Sequence, residues 1–398
     1  MAIMELTEKQ EKGLETILTR YNLGLKYTTI SGYAGTGKST LVKFAIAALG
    51  VREDRVAYAT FTGKAAEVLR KKGNTGACTL HKLLYDHFPK PGGGFIRKPK
   101  TSLDYDVVVV DEVSMAPKSM IDMLLSHRVY VIFLGDPFQL PQINKDESHD
   151  ILENAHIFLD EVMRQAAESE IIQISMKIRN GESIDFMKGK EVIIIPKSEL
   201  VEGHLTWADQ ILCGTNATRE NINRQMREIY GFSGLPQDGE KMICLRNYWD
   251  DCADNGDALV NGTTGILRNP FETFRMIPNY IPIDNHRMDV IQGDFVTSDG
   301  STFNSVEMDK KFLIDGVKCI TDGKILFRLG KLKNKIGDIV PREFAFGYAI
   351  TTHKAQGSEW DKVLVIEEKF PFPKEEHARW LYTAVTRASE KLVLVRSN

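Results

Sequence analysis

The segment Gly32-Tyr33-Ala34-Gly35-Thr36-Gly37-Lys38-Ser39 has the spacing G-x-x-x-x-G-K-[ST], which is chemistry for holding phosphate. Its glycines let backbone N–H groups turn toward phosphate oxygens, Lys38 offers a positive charge to the β- and γ-phosphates, and the Ser39 hydroxyl is a ligand for Mg2+. Gly35, Thr36, Gly37, Lys38, Ser39 and Thr40 are the candidate nucleotide-binding residues. The plain alternative is a glycine-rich turn with a chance lysine. The context weighs against it, because an apolar run precedes the loop and an amphipathic run, Thr40 to Leu49, follows.

Further on, Val107-Val108-Val109-Val110-Asp111-Glu112 is an apolar run ending in two acids. As a strand it would deliver both to the carboxyl edge of a sheet, where open α/β folds bind ligands. Asp111 would then hold Mg2+ and Glu112 would orient and deprotonate an attacking water. Alone, such a pair is more often a solvated turn; beside a phosphate loop it points to hydrolysis. Gln139, in Gly135-Asp136-Pro137-Phe138-Gln139-Leu140-Pro141, has an amide able to touch both a γ-phosphate and a water, or else it braces a proline-rich loop. Arg164 and Arg387 cannot be singled out by spacing, since a lone arginine is usually a surface ion pair. They do offer a second domain's guanidinium groups to a transferring phosphate.

Those side chains need elements to hold them. Tyr27 to Ser31, Arg55 to Thr60, Val107 to Val110 and Tyr130 to Leu134 read as buried strands separated by helix-length segments, a parallel α/β sheet. The stretch from Asp86 to Asp104 is rich in Pro and Gly and reads as a protruding insertion, a hairpin. Helical spacing between Glu161 and Asn180 and the strand-like run Val192 to Ile195 open a second α/β unit. From Pro236 to about Pro341, short strands such as Lys241 to Leu245 and Thr264 to Leu267 alternate with Asn261-Gly262, Asp299-Gly300, Asp315-Gly316 and Asp322-Gly323, a small β-rich insertion. The α/β pattern resumes at Phe344 and runs through Lys362 to Ile366 and Lys391 to Val395.

At 398 residues the chain is too long for one core. With 42% hydrophobic and 26% charged residues it is globular rather than disordered or collagen-like. A net charge of -3 leaves room for a basic cleft balanced by acid elsewhere, so it excludes neither nucleic acid nor other partners. Cys78, Cys213, Cys244, Cys252 and Cys319 are scattered, with no C-x-x-C pair, which argues against a disulfide framework or a zinc site and fits a reducing cytoplasm. No apolar run reaches membrane length, and Met1 to Gly13 carries Glu and Lys where a secretion signal would be apolar.

Taken in order, Gln10 within Leu6 to Gln10, the phosphate loop, Thr62-Gly63-Lys64-Ala65-Ala66, Thr79 to Leu84, Asp111-Glu112, Gly135 to Leu140, Arg164-Gln165, Thr215-Asn216, Thr351 to Glu359 and Tyr382 to Arg387 form a set that resembles superfamily 1B helicases. The likeness is greatest to the RecD-like and bacteriophage Dda-like branch, and it spans almost the whole chain.

The resemblance implies an α/β fold of two RecA-like parallel-sheet P-loop domains, with ATP and Mg2+ in the cleft between them and single-stranded DNA across their tops. The first domain would span 1–150 with a pin insertion at 86–104; the second would span 151–235 and 341–398, interrupted by an SH3-like β domain at 236–340. By the same resemblance Gln10 reads adenine, Gly357 and Glu359 lie beside the nucleotide, and Thr62, Lys64, His81, Asn216, Thr351 and His353 lie along the strand. Phe61, Phe88, Phe95 or Trp249 could stack on bases, although Phe61 and Trp249 are equally suited to a core.

The expected activity is ATP-dependent translocation, 5′ to 3′ by resemblance, with unwinding of forked duplex by a cytoplasmic monomer working with replication or recombination proteins. An RNA helicase, a translocase that does not unwind, and a P-loop protein that uses ATP as a binding switch remain open alternatives.

Overall fold

The computed structural model describes residues 6–89, 95–141, 148–281, 286–298, 300–318, 320, 340–369 and 373–396. They group into two compact units: 1–84, 100–215 and 351–398 make the first, and 85–99 with 216–350 the second.

The first unit contains two sheets. Across one of them the strands lie in the order Cys78–Thr79, Val56–Thr60, Val107–Val110, Tyr130–Gly135, Tyr27–Gly32, Ile157–Leu159, and every described pairing is parallel. Parallel strands are covered on both faces, which explains why these runs are apolar without alternation. Val107, Val108 and Val110 are fully buried, as are Val131, Ile132 and Phe133. Ile17 of the helix Glu8–Asn22 and Leu41 and Ala45 of the helix Lys38–Leu49 complete the core on one face.

The other sheet runs Ala349–Thr351, Gln210–Cys213, Trp360–Ile366, Ala388–Arg396, Val192–Pro196, Met187–Lys188. Its central pairings are parallel; the edge strand Met187–Lys188 is antiparallel. The helices Glu170–Arg179 and Lys374–Val385 pack against each other, and the strand Ala388–Arg396 touches both. Two parallel α/β sheets are what the alternating pattern predicts.

In the second unit, the strands Thr302–Asp309, Arg287–Thr297, Thr264–Met276, Lys241–Cys244 and Phe344–Phe346 form one antiparallel sheet in that order. Its core is aromatic, with Phe295 edge-on to Phe344 at 5.1 Å and Leu267, Met242 and Met308 filling the rest. Thr264–Met276 is much longer than the four residues read from the sequence, because exposed positions past Leu267 still pair along their length with Arg287–Thr297. Asp315-Gly316 is also not a hairpin turn: Gly316, at φ 69, ends the helix Lys310–Asp315, a left-handed cap that glycine adopts freely. Asp299 and Asp322-Gly323 lie outside the described residues.

The insertion expected at 86–104 is a hairpin of Tyr85–Pro89 with Phe95–Pro99. It groups with the second unit, and its strand Phe95–Pro99 lies against Tyr248–Cys252. The divisions at 215 and 351 also differ from the sequence boundaries at 235 and 341, since the helix Asn216–Ile229 falls within the second unit, where Asn223 Nδ2 donates to Ala349 O at 3.0 Å. Cys213 and Cys244 are buried and Cys78 and Cys252 are partly exposed; Cys319 is not among the described residues. Among the described residues no helix is long and apolar enough to cross a membrane.

Candidate active site

The phosphate loop joins the strand Tyr27–Gly32 to the helix Lys38–Leu49. Gly35 at φ 75 and Gly37 at φ 78 take the left-handed backbone that turns the chain back on itself. A Cβ on Gly37 would lie 2.4 Å from Gln10 Nε2, so any other residue there would strain the backbone and push that amide aside. The helix has no side-chain cap, which leaves its first N–H groups facing the loop for an anion. Lys38 Nζ donates to the carbonyls of Gly32 at 2.7 Å and Tyr33 at 2.9 Å, holding the ammonium at the loop mouth. The Thr36 hydroxyl donates to Tyr33 O at 2.8 Å.

Gln10 is buried and used at both ends. Its Oε1 accepts from Thr7 N at 3.0 Å while Thr7 Oγ1 accepts from Gln10 N at 3.3 Å, a capping box that starts the first helix. Its Nε2 donates to Thr36 O at 3.3 Å. The glutamine assigned by resemblance to adenine thus also ties the first helix to the phosphate loop. The capping signature Thr7-x-x-Gln10 is legible in the sequence, but the bond to Thr36 is not.

Asp111 and Glu112 stand at the carboxyl end of their strand, as the apolar run requires. Burial first, and then the charge of Glu112, push the Asp111 carboxyl up to about 6, against the pull of Lys38. A buried carboxylate without enough positive charge beside it suits a hard divalent cation; Ser39, the other expected ligand, is exposed in the first turn of the helix Lys38–Leu49. Glu112 adopts φ 53, a left-handed conformation costly for any residue but glycine and characteristic of functional sites.

Gln139 and Arg387 meet Glu112. With its amide oxygen toward Arg387 Nη2 and its nitrogen toward Glu112 Oε2, Gln139 bridges the two at 3.1 Å on each side. Arg387 Nη1 stands 4.0 Å from Glu112 Oε1. The guanidinium is fixed by its donations to Thr383 O at 3.0 Å and Ser358 O at 3.2 Å. Residues from both sheets therefore converge on one carboxylate. Arg164 is not brought into this cluster: it is exposed at the start of the helix Arg164–Ala167, although its neighbour Met163 donates its N–H to Gly35 O at 2.9 Å.

Several site residues went unassigned in the sequence. The Tyr382 hydroxyl donates to Asp136 Oδ2 at 2.6 Å and accepts from the N–H of Ala34 at 2.9 Å, joining the phosphate loop, the loop after Tyr130–Gly135 and the helix Lys374–Val385. Leu140 N–H donates to Thr383 Oγ1 at 2.9 Å and Gln356 Nε2 to Leu140 O at 2.6 Å. Arg379 donates to Pro137 O at 3.0 Å, and Arg179 lies 3.9 Å over the Tyr33 ring. Tyr382 and Asp136 fall inside recognisable motifs, but nothing in their spacing says that they bond each other. Burial pushes the Tyr382 hydroxyl well above its usual range, so it stays a proton donor. Replacing Tyr382 with Phe strands the buried Asp136 carboxylate and the partly buried Ala34 N–H while keeping the ring on Phe138. The expected cost is about 1–3 kcal/mol of unfolding free energy, measurable by urea denaturation.

The remaining candidates divide. Gly357, at φ 70, lies where a Cβ would be 3.2 Å from Thr62 Oγ1, and Glu359 pairs with Lys72 at 2.7 Å. Thr62 caps the helix Gly63–Lys71 through Ala65 N at 3.2 Å. Lys64 Nζ is held at 2.8 Å by Glu67, whose side chain is 5% exposed and which also pairs with Lys71 at 2.9 Å. His81 is buried beside Phe61, with ring centres 5.9 Å apart. Thr351 is buried and Asn216 exposed. His353 is half-buried, and burial lowers its pKa, keeping it neutral. Phe88 is exposed in the hairpin with Lys98 5.6 Å over its ring; the side chains of Phe95 and Trp249 are outside the described set.

Residues 5–194 match the family model of an AAA domain, and residues 346–395 match that of a UvrD-like helicase C-terminal domain. The ATP-dependent RecD2 DNA helicase of Deinococcus radiodurans is 27% identical over 97% of this chain, which spans only 48% of that protein. The ATP-dependent DNA helicase Dda of Enterobacteria phage T4 is 28% identical over 46% of this chain and 44% of its own length. Among solved structures, that of a Bacteroides Pif1 helicase in complex with ADP-AlF3 and ssDNA matches at a TM-score of 0.50 and 20% identity, over 98% of this chain and 92% of that one, a likeness of fold. The phosphate loop, the acid pair and the second-sheet arginine are built into that fold, and these likenesses support the resemblance to superfamily 1B helicases of the RecD-like and Dda-like branch.

Proposed function

We propose that the protein hydrolyses Mg-ATP to move along single-stranded DNA in the 5′ to 3′ direction and to open forked duplex. The observation that supports this best is the convergence of Gln139 and Arg387 on Glu112. A simple nucleotide switch has no need of a base whose partner arginine comes from a second sheet, whereas a motor that couples closure to hydrolysis does. Lys38 and the loop N–H groups would hold the phosphates, and Ser39 and Asp111 would hold the magnesium. When bound, that ion neutralises phosphate charge. Glu112 orients and deprotonates water, Gln139 relays between the base and Arg387, and Arg387 meets charge building on the phosphate.

Opening and closing between the two sheets would pass the strand between Thr62, His81, Thr351 and His353 in turn. Lys64 shares the buried Glu67 carboxylate with Lys71, so one acid faces two lysines. A strand-splitting hairpin and a cytoplasmic monomer are part of the same reading.

Two measurements test it. ATPase should be low without nucleic acid and rise steeply with single-stranded DNA, less so with RNA of the same sequence and less at high salt, where phosphate contacts weaken. Unwinding should require a 5′ single-stranded tail. Unwinding of 3′-tailed duplex alone refutes the polarity, and an ATPase indifferent to DNA refutes the motor.

A further inference from the structure

Glu368 lies two residues beyond the strand Trp360–Ile366, and Gly214 and Thr215 follow directly on the neighbouring parallel strand Gln210–Cys213. The Glu368 carboxylate reaches across this carboxyl edge. Its Oε2 accepts from Gly214 N–H at 2.5 Å and from Thr215 N–H at 2.9 Å, and its Oε1 accepts from the Thr215 hydroxyl at 2.9 Å. Three donors on two consecutive residues thus converge on one oxyanion. Two backbone amides and a hydroxyl also suit a nucleic-acid phosphate, since such contacts fix a backbone without reading its bases.

The surroundings favour that comparison. Thr352 N–H donates to Cys213 O at 3.0 Å, which sets the Thr351–His353 segment, proposed above to follow the strand, beside these donors. Glu368, Gly214 and Thr215 are all only partly buried, so the carboxylate can leave and a solvent-borne anion can enter. Glu367 is different: its carboxylate is bound to Arg396 at 2.6 Å and to His377 at 3.0 Å and is nearly buried. The buried glutamate is a structural ion pair, whereas its neighbour at the rim holds the Gly214–Thr215 loop.

We propose that Glu368 is an internal stand-in for a backbone phosphate of single-stranded DNA. It fills the Gly214–Thr215 donors in the DNA-free protein, and a phosphodiester must displace it to take them. The inference rests on the DNA-translocase reading above. It makes Glu368 a brake on grip: each binding event exchanges one set of charge-assisted hydrogen bonds for another and expels a carboxylate that repels the incoming strand.

The test is nucleotide-free binding of a fluorescein-labelled oligo-dT by the wild type, Glu368→Gln and Glu368→Ala at one salt concentration, with melting curves and the KM for ATP recorded alongside. Removing a competitor that holds charged hydrogen bonds should tighten DNA binding about tenfold in Glu368→Ala. A smaller gain is expected in Glu368→Gln, which keeps the shape and loses the charge, and the KM for ATP should not change. Unchanged affinity in both variants overturns the inference. So does weaker binding with a lowered melting temperature, which would make Glu368 a brace for the loop, and so does a changed KM for ATP without a change in DNA affinity, which would assign the donors to the nucleotide. If the wild type binds the oligonucleotide, these outcomes bear on Glu368 alone; if no form binds it, the DNA reading falls and the inference with it.

Discussion

Arg387→Ala is expected to lower DNA-stimulated ATP turnover by about 10³ to 10⁵, the usual worth of an arginine that stabilises a transferring phosphoryl group. The geometry supports so large a loss. The guanidinium is 5% exposed, stands 4.0 Å from Glu112 and meets Gln139 at 3.1 Å, so solvent cannot supply a substitute charge. Two backbone carbonyls hold its fork in place. Arg387→Lys keeps the charge and loses the planar fork, and it should recover little of the rate. Nucleotide binding and the melting curve are the controls, because removing a buried side chain also costs stability. Turnover within tenfold of the wild type in a folded Arg387→Ala protein would make the residue a structural tie between Thr383 and Ser358.

Glu112→Gln should cut hydrolysis by about 10² to 10⁴, the range for loss of a general base, while ATP and DNA binding persist. The pKa relation explains why binding should survive. Glu112's charge is one of the two causes that push Asp111 up to about 6; without it Asp111 moves back toward the ordinary carboxylate range and is more fully ionised near neutral pH. The substitution therefore removes the base and leaves the candidate magnesium ligand more available. A long-lived complex of the variant with ATP and labelled DNA, seen in a filter-binding or anisotropy chase, is the expected result. Loss of ATP binding would instead assign Glu112 to the metal or to the loop's architecture.

The sequence by itself determined the parts of this protein that depend on local spacing. The phosphate loop needs glycines at fixed offsets because only they reach φ near 75 without strain. Buried parallel strands must be apolar on both faces, so Val107 to Val110 and Tyr130 to Leu134 declare themselves. The acid pair has to end such a strand to reach the ligand edge. Turn chemistry proved less decisive: Asp315-Gly316 has the residues of a hairpin turn, yet Gly316 caps a helix, because a left-handed glycine serves both and only the flanking chain chooses between them.

Tertiary structure alone decided the pairings between residues far apart in the chain. Tyr382 meets Ala34 and Asp136, Arg387 meets Glu112, and Glu368 meets Gly214 and Thr215, and no periodicity encodes any of these. Structure also showed that Lys64 and Lys71 share the buried Glu67 and that Arg164 stands exposed. A side chain's type fixes which bonds it is able to make. Which bonds it does make depends on the atoms that packing brings within about 3 Å of it, and that is settled only when the sheets and their loops have assembled.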